Sequence, residues 1–417
     1  MDRLVHEQLL AWRRSAKRKV LLVRGARQVG KTFSVRQLGR DFRRFVEVNF
    51  EEEPAAARLF AGSRNPHGLC EKLSSYFRAT IVPGETLLFF DEIQACPDAL
   101  ASLRFFYEQM PELHVVAAGS LLEFALSEIP SMGVGRIESL FLYPLSFREY
   151  VMALGEERLL AMVRRAGPNA PLDTVLHERL VELVRTYQLL GGLPEIVQHY
   201  VDTRDLNGCL RLLSGLLTTL QDDFAKYRQR APVARLTEVF RALALQAGGK
   251  FTHTQVDSLA AGREIKSALE MLIMAGLAYR VPHTSAQGLP LGAQTNPRRF
   301  KVLPFDLGVY QRLSGLSQAE QLVADGRTLV NRGALAEILV GLELVAAADP
   351  HQRPERYYWH REARNSNAEV DYVIESAARI VPIEVKAGTR GGMQSMNAFL
   401  DSHPASSWGC RLSLENY

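Results

Sequence analysis

Along the first 150 residues, short apolar runs alternate with amphipathic stretches. KVLLV (19 to 23), RFVEVNF (44 to 50), TLLFFD (86 to 91) and HVVAAGS (114 to 120) read as strands, with helical periodicity between them. Strands that are apolar on both faces and separated by helices predict a parallel sheet covered on both sides. An α/β unit is therefore expected over residues 1–165. After PLSFREY (144 to 150) the periodicity turns helical, AGPNAPLD (166 to 173) reads as a loop, and GGLP (191 to 194) punctuates the helices, so 166–232 is expected to be a helical segment. From Ala234 the pattern is helix, turn, helix, the amphipathic REIKSALEMLIMAGL, then strands at LAYRV and RFKVLPFD (299 to 306). That order predicts a winged helix over 233–315, with QGLPLGAQTNPRR (287 to 299) as the mobile tip of its wing. A last unit over 316–417 opens with the helical NRGALAEILVGLELVAAA (331 to 348) and continues with RYYWHR, AEVDYVIE and RIVPIEVK, which alternate like strands. A helix on a small mixed sheet is the expected form, with Tyr357, Tyr358 and Trp359 in its core.

Composition changes this picture little. At 417 residues the chain is long enough for two or three compact units, and its 47% hydrophobic and 23% charged content is that of a globular protein. A net charge of +4 leaves room for a local basic face without signalling nucleic-acid binding by itself. The four cysteines (Cys70, Cys96, Cys209, Cys410) form no CxxC pair, which argues against a zinc site or disulfide framework and fits a reducing, cytoplasmic location. The charged N-terminal stretch MDRLVHEQLLAWRRSAKRK lacks the apolar core of a signal peptide, and no apolar run has bilayer-spanning length, so no membrane partner is expected.

The chemistry begins at GARQVGKT, which matches GxxxxGK[ST] directly after a strand and before a helical stretch. In that context Gly25, Ala26, Arg27, Gln28, Val29, Gly30, Lys31, Thr32 and Phe33 are expected to cradle the phosphates of ATP through backbone N–H groups. Lys31 would neutralise phosphate charge and Thr32 would ligate Mg2+. LLFFDEIQ (87 to 94) is an apolar strand ending in two acids: Asp91 is placed to hold the magnesium through water, and Glu92 to polarise the attacking water. Ser120 ends the next strand, as a sensor of the γ-phosphate or simply as a turn residue. Arg136, after a glycine-rich loop, reads either as an arginine finger for a neighbouring subunit or as a solvated side chain. DDFAKYRQRAPVAR (222 to 235) reads as a phosphate-tracking helix or a solvated face.

GARQVGKT, FFDEIQ, AAGS, GR followed by PLSFREY, then GGLPEIV, EVDYVIE and IEVKAG, taken in that order, resemble a family of prokaryotic AAA-type P-loop ATPases. In that family the C-terminal domain of unknown function is related to PD-(D/E)XK nucleases. The resemblance implies an α/β P-loop ATPase module, a winged-helix middle domain and a restriction-endonuclease-like terminal module. The start of AAGREIKSAL (260 to 269) departs from the Ser/Thr-rich recognition helix usual in the family.

Side chains alternate across a strand, so Glu384 and Lys386 share one face and Asp371 shares a face with Glu369, while a short turn at 376–378 pairs the two strands as a hairpin. In the nuclease constellation Asp371 and Glu384 would hold a divalent cation, Glu337 would carry a metal-bound water, and Lys386 would orient or deprotonate the attacking water. Three functions follow: an ATP-hydrolysing motor or switch acting on branched or damaged DNA, self-associated as a dimer to hexamer; an ATP-gated signalling switch whose last domain binds without cutting; and a defence nuclease licensed by ATP.

Overall fold

The computed structural model describes residues 1, 3–120, 122–128, 135–227, 230–315, 332–361, 368–388 and 391–416. The chain divides into two compact units, Met1–Tyr143 with Asp349–Arg353, and Pro144–Ala348 with Pro354–Tyr417.

The first unit is built on a five-stranded, all-parallel sheet of β1 (Val20–Arg24), β2 (Arg44–Asn49), β3 (Thr86–Asp91), β4 (His114–Ala118) and β5 (Ile137–Phe141), in the order β2-β3-β4-β1-β5. The four strands legible as apolar runs are the inner three and β2. Leu87, Leu88, Phe89 and Phe90 are wholly buried, as strands covered on both faces must be. On one side Phe60 packs edge-on against Phe50 and Phe90, with ring centres 5.5 and 5.6 Å apart. The fifth strand, IESLF, has no apolar run to betray it, because it is an edge strand with Glu138 and Ser139 half-buried. Its outer side is covered by residues 349–353: the Phe141 N–H donates to the Pro350 carbonyl (2.7 Å), and His351 Nδ1 lies 3.1 Å from the Ser139 carbonyl and 3.0 Å from Glu138. Covering the edge satisfies backbone groups that would otherwise template another strand.

In the second unit, the helices Phe147–Ala153, Thr174–Leu190, Pro194–Thr203 and Leu206–Asp222 form a helical layer. GGLP is where this layer closes on itself. The Gly192 N–H donates to Asp306 Oδ2 (2.7 Å), the Leu145 N–H donates to the Gly192 carbonyl (2.6 Å), and a Cβ on Gly192 would stand 2.1 Å from the Leu145 carbonyl oxygen. Helices Val233–Leu245 and Gly262–Met274 precede an antiparallel hairpin of β6 (Ala278–Thr284) and β7 (Thr295–Pro304). The tip of this hairpin is anchored at two points: Ala286 and Leu291 are buried in a cluster with Tyr357, Trp359, Val370 and Phe399, and the Leu291 N–H donates to Glu375 (2.6 Å).

β8 (Tyr357–His360), β9 (Glu369–Ser376), β10 (Arg379–Val385) and β11 (Cys410–Leu412) join that hairpin in one six-stranded sheet, ordered β11-β10-β9-β8-β6-β7. The strands expected of a middle and a last domain thus share a single sheet. β9 and β10 pair antiparallel as the hairpin read from the sequence, and Tyr357, Tyr358 and Trp359 are buried as core.

His114, which opens β4, offers a test of the first unit's packing. It is 7% exposed, its ring lies 4.7 Å from Phe42 and 5.8 Å from Trp12, and burial, aided by nearby Arg18, brings its pKa down to about 4. A folded pKa below the unfolded 6.5 means that the unfolded chain takes up a proton the fold excludes, so stability is full above pH 6.5 and falls as pH drops towards 4. Between pH 7 and pH 5 we expect His114 to account for about 2 kcal/mol of lost stability. A His114→Phe variant should shrink the pH dependence of the urea midpoint by that amount; an unchanged dependence would show that His114 is not held neutral.

Candidate active site

Strand order positions the site. Because β4 lies between β1 and β3, the carboxyl ends of all three strands meet at one edge, and the loop after β1, Ser120 after β4 and Asp91–Glu92 after β3 converge there. The loop from Gly25 to Gly30 turns into the helix Lys31–Gly39. Gly25 takes φ +149°, and a Cβ there would stand 2.2 Å from the Leu142 carbonyl oxygen; Gly30 takes φ +89°. Gln28 is also left-handed at φ +65°. Ala26 and Val29 anchor the loop in the core, and Arg3 donates to the carbonyls of Val29 and Tyr143 (2.8 Å each). Phe33, in the first helical turn, is 51% exposed.

Within this frame the charged groups hold one another. Lys31 Nζ donates to the carbonyls of Ala26 (2.7 Å) and Gly25 (3.1 Å), and burial brings its pKa down to about 8 against the opposing pull of Glu92 and Asp91. Thr32 Oγ1 donates to Asp91 Oδ2 (2.8 Å), and the Glu92 N–H donates to Asp91 Oδ1 (3.1 Å). Asp91 is 3% exposed, and its pKa is pushed up to about 6 by burial, with the Thr32 hydroxyl pulling it back. A carboxylate buried this deeply favours a cation beside it, and a threonine hydroxyl hydrogen-bonded to it is a hard oxygen donor suited to magnesium. These two residues fit the implied ion.

Glu92 sits at φ +47°, ψ +44°, a left-handed conformation costing about 1 kcal/mol for a residue with a Cβ. Two donors fix its carboxylate: Gln94 Nε2 at 2.5 Å and Ser120 Oγ at 3.3 Å, both on Oε2. Arg27 Nε in turn donates to Ser120 Oγ (3.3 Å). Sequence reasoning placed Glu92 and Ser120 here but missed Gln94 and the room it needs. A Cβ on Gly119 would fall 2.0 Å from Gln94 Oε1, so the glycine of AAGS is what seats the amide. Arg136 is not brought to this site. It precedes β5, a strand parallel to β1, and so stands at the opposite edge of the sheet, where it pairs with Glu108 at 2.9 Å.

The residues of the second constellation share one neighbourhood, Asp371 acting electrostatically on both Glu337 and Glu384 and feeling Lys386, but each already has a partner. Asp371 Oδ2 accepts from the Val385 N–H (2.7 Å), and Glu384 Oε1 accepts from Lys386 Nζ (2.6 Å). Glu337 is held instead by Lys301, whose Nζ lies 2.7 Å from Glu337 and 2.6 Å from Glu369. Burial pushes the Glu337 pKa up to about 7 while Lys301 pulls it down. Burial alone would lower the Lys301 pKa, but the Glu337 and Glu369 carboxylates more than reverse it. Among the described residues no three His, Cys, Asp or Glu side chains gather so as to hold a metal ion. The 222–235 stretch also differs: Arg235 is committed to Asp257 (2.9 Å), Glu238 and Glu264, and Lys226 to Asp223, while residues 228 and 229 lie outside the described residues.

Residues 17–151 match the model of an AAA domain, and residues 181–320 and 332–417 match two domains of unknown function, DUF8612 and DUF4143. No protein of curated function matches the chain. Among solved structures, a Walker-type ATPase of Pyrococcus abyssi superposes with a TM-score of 0.48 at 18% identity, covering 75% of this chain and 95% of that one. The Aeropyrum pernix ORC1 protein in complex with DNA gives 0.29 at 15% identity, covering 78% and 92%, and Drosophila ORC bound to DNA gives 0.30 at 13%, covering 76% and 95%. These superpositions are low, and the chemistry rests on the site's own geometry. The first unit carries an AAA-type domain with a parallel sheet. Among the described residues no helix is long and apolar enough to cross a membrane.

If Gln94 fixes Glu92, then Gln94→Ala and Gly119→Ala should each lower magnesium-dependent ATP turnover by about tenfold, roughly 1.4 kcal/mol of barrier, while leaving KM within about twofold. Steady-state kinetics will show it; a rise in KM with unchanged kcat would place Gln94 in nucleotide binding instead.

Proposed function

We propose that the chain is a magnesium-dependent ATPase that couples nucleotide turnover to a grip on DNA. The observation that carries the first half is the convergence of Lys31, the Thr32–Asp91 pair and Glu92 at one edge of a parallel sheet. The loop N–H groups and Lys31 bind and orient the phosphates. Thr32 and Asp91 hold the magnesium ion, which when bound neutralises phosphate charge. Glu92, kept in place by Gln94 and Ser120, polarises the attacking water, and Lys31 stabilises charge on the oxygens of the transferred group.

The second half rests on basic side chains in the second unit. Arg298 and Arg299 are exposed on the edge strand β7, Lys250 lies close by, and both Lys250 and Arg299 help lower the His360 pKa, after burial, which places them in one neighbourhood. Arg263 and Lys266 are exposed on the helix Gly262–Met274. Such a face suits a phosphate backbone and supplies no base reading. Because Arg136 stands across the sheet from its own phosphate loop, it reaches a γ-phosphate only in a neighbouring copy, and self-association is part of the proposal.

The test is ATP turnover with magnesium, alone and with single-stranded, duplex and forked DNA. We expect DNA to raise turnover several-fold, with an effect that weakens steeply with salt and is lost in an Arg298→Glu/Arg299→Glu variant. Turnover that ignores every DNA would leave an ATPase whose partner is not nucleic acid.

A further inference from the structure

Lys301 stands on the edge strand β7 and is nevertheless only 1% exposed, an unusual position for an ammonium group. Its chain runs inward until Nζ lies 5.2 Å from the centre of the Tyr358 ring on β8 and bonds Glu337, on the helix Arg332–Ala346, and Glu369, on β9. An isolated buried ammonium is prohibitively costly, so these two carboxylates are what keep it there. The opposite side of the arrangement is fixed too. Tyr372 Oη donates to the Glu337 carbonyl (2.8 Å), and it approaches the helix only because Gly341 has no Cβ, which would stand 2.3 Å from that hydroxyl. Three acids are thus divided between two lysines, Glu337 and Glu369 with Lys301 and Glu384 with Lys386, while Asp371 accepts from the Val385 N–H.

We infer that Lys301 is a resident counter-ion for Glu337 and Glu369, supplying the positive charge that a divalent cation would otherwise bring to them, so that these two acids need no divalent ion. Among the described residues, the carboxylate oxygen of this cluster that is buried without a hydrogen-bond partner is Glu384 Oε2. Together with Asp371 it makes two carboxylates, which hold a hard divalent ion only when water and a substrate phosphate complete the shell.

Nucleotide-free, full-length protein titrated with Mn2+ decides the matter. The melting temperature of the unsubstituted protein should not respond to millimolar Mn2+. Lys301→Met releases Glu337 and Glu369, and its melting temperature should rise by roughly 5 °C with Mn2+, a gain lost again in Lys301→Met/Glu337→Gln. The inference is overturned if the unsubstituted protein gains Mn2+ stabilisation that Asp371→Asn removes, or if folded Lys301→Met shows no response. Should Lys301→Met fail to fold, the Asp371→Asn comparison alone decides.

Discussion

The hydrogen bond from Thr32 to Asp91 is the constraint around which the first unit is arranged. It joins the first turn of the helix after the phosphate loop to the end of β3, two elements separated in the sheet by β4. For it to form, the strands must be ordered so that β1 and β3 end at the same edge, and the strand between them then ends there too, delivering Ser120. A buried carboxylate at that point is destabilising unless hydrogen bonds and a cation satisfy it. The same buried acid turns the chain into the left-handed conformation at Glu92 that aims the next carboxylate towards Ser120 and Gln94.

The two acidic clusters of the chain are built on opposite logic. At the nucleotide site, Asp91 keeps one hydroxyl donor and one backbone donor, and Lys31 rests on neutral carbonyls, so both charges remain available to a ligand. In the six-stranded sheet, lysine and glutamate side chains satisfy each other: Lys301 holds two carboxylates and Lys386 a third. Buried ion pairs add little net stability, because desolvation of the charges offsets much of their attraction. Similar residue types at similar spacing therefore serve different ends, decided by which partner the fold supplies.

How much of this was legible in sequence follows from what is local. The phosphate loop, Asp91, Glu92 and Ser120 were readable because each sits at the end of an apolar strand, and strand ends in a parallel sheet share an edge. The β9–β10 hairpin was readable because a two-residue turn joins two alternating strands. What escaped depends on distant partners. β5 carries half-polar residues because its edge is covered from residues 349–353, some 200 positions away. Lys301 in RFKVLPFD looks like an ordinary strand lysine until the helix bearing Glu337 is laid over it. Gln94 follows the two acids by only two residues, yet its role appears only once Gly119 is seen to make room for it.

If Thr32 and Asp91 form the cation half of a nucleotide site, ATP binding must depend on magnesium through them. Calorimetric titration of the protein and of a Thr32→Val variant, each with and without Mg2+, separates the cation from the phosphate cradle. We expect magnesium to tighten ATP binding at least tenfold in the unsubstituted protein and to have little effect in the variant, which still binds through the loop and Lys31. Equal tightening by magnesium in both proteins would contradict that expectation and would move the cation away from Thr32.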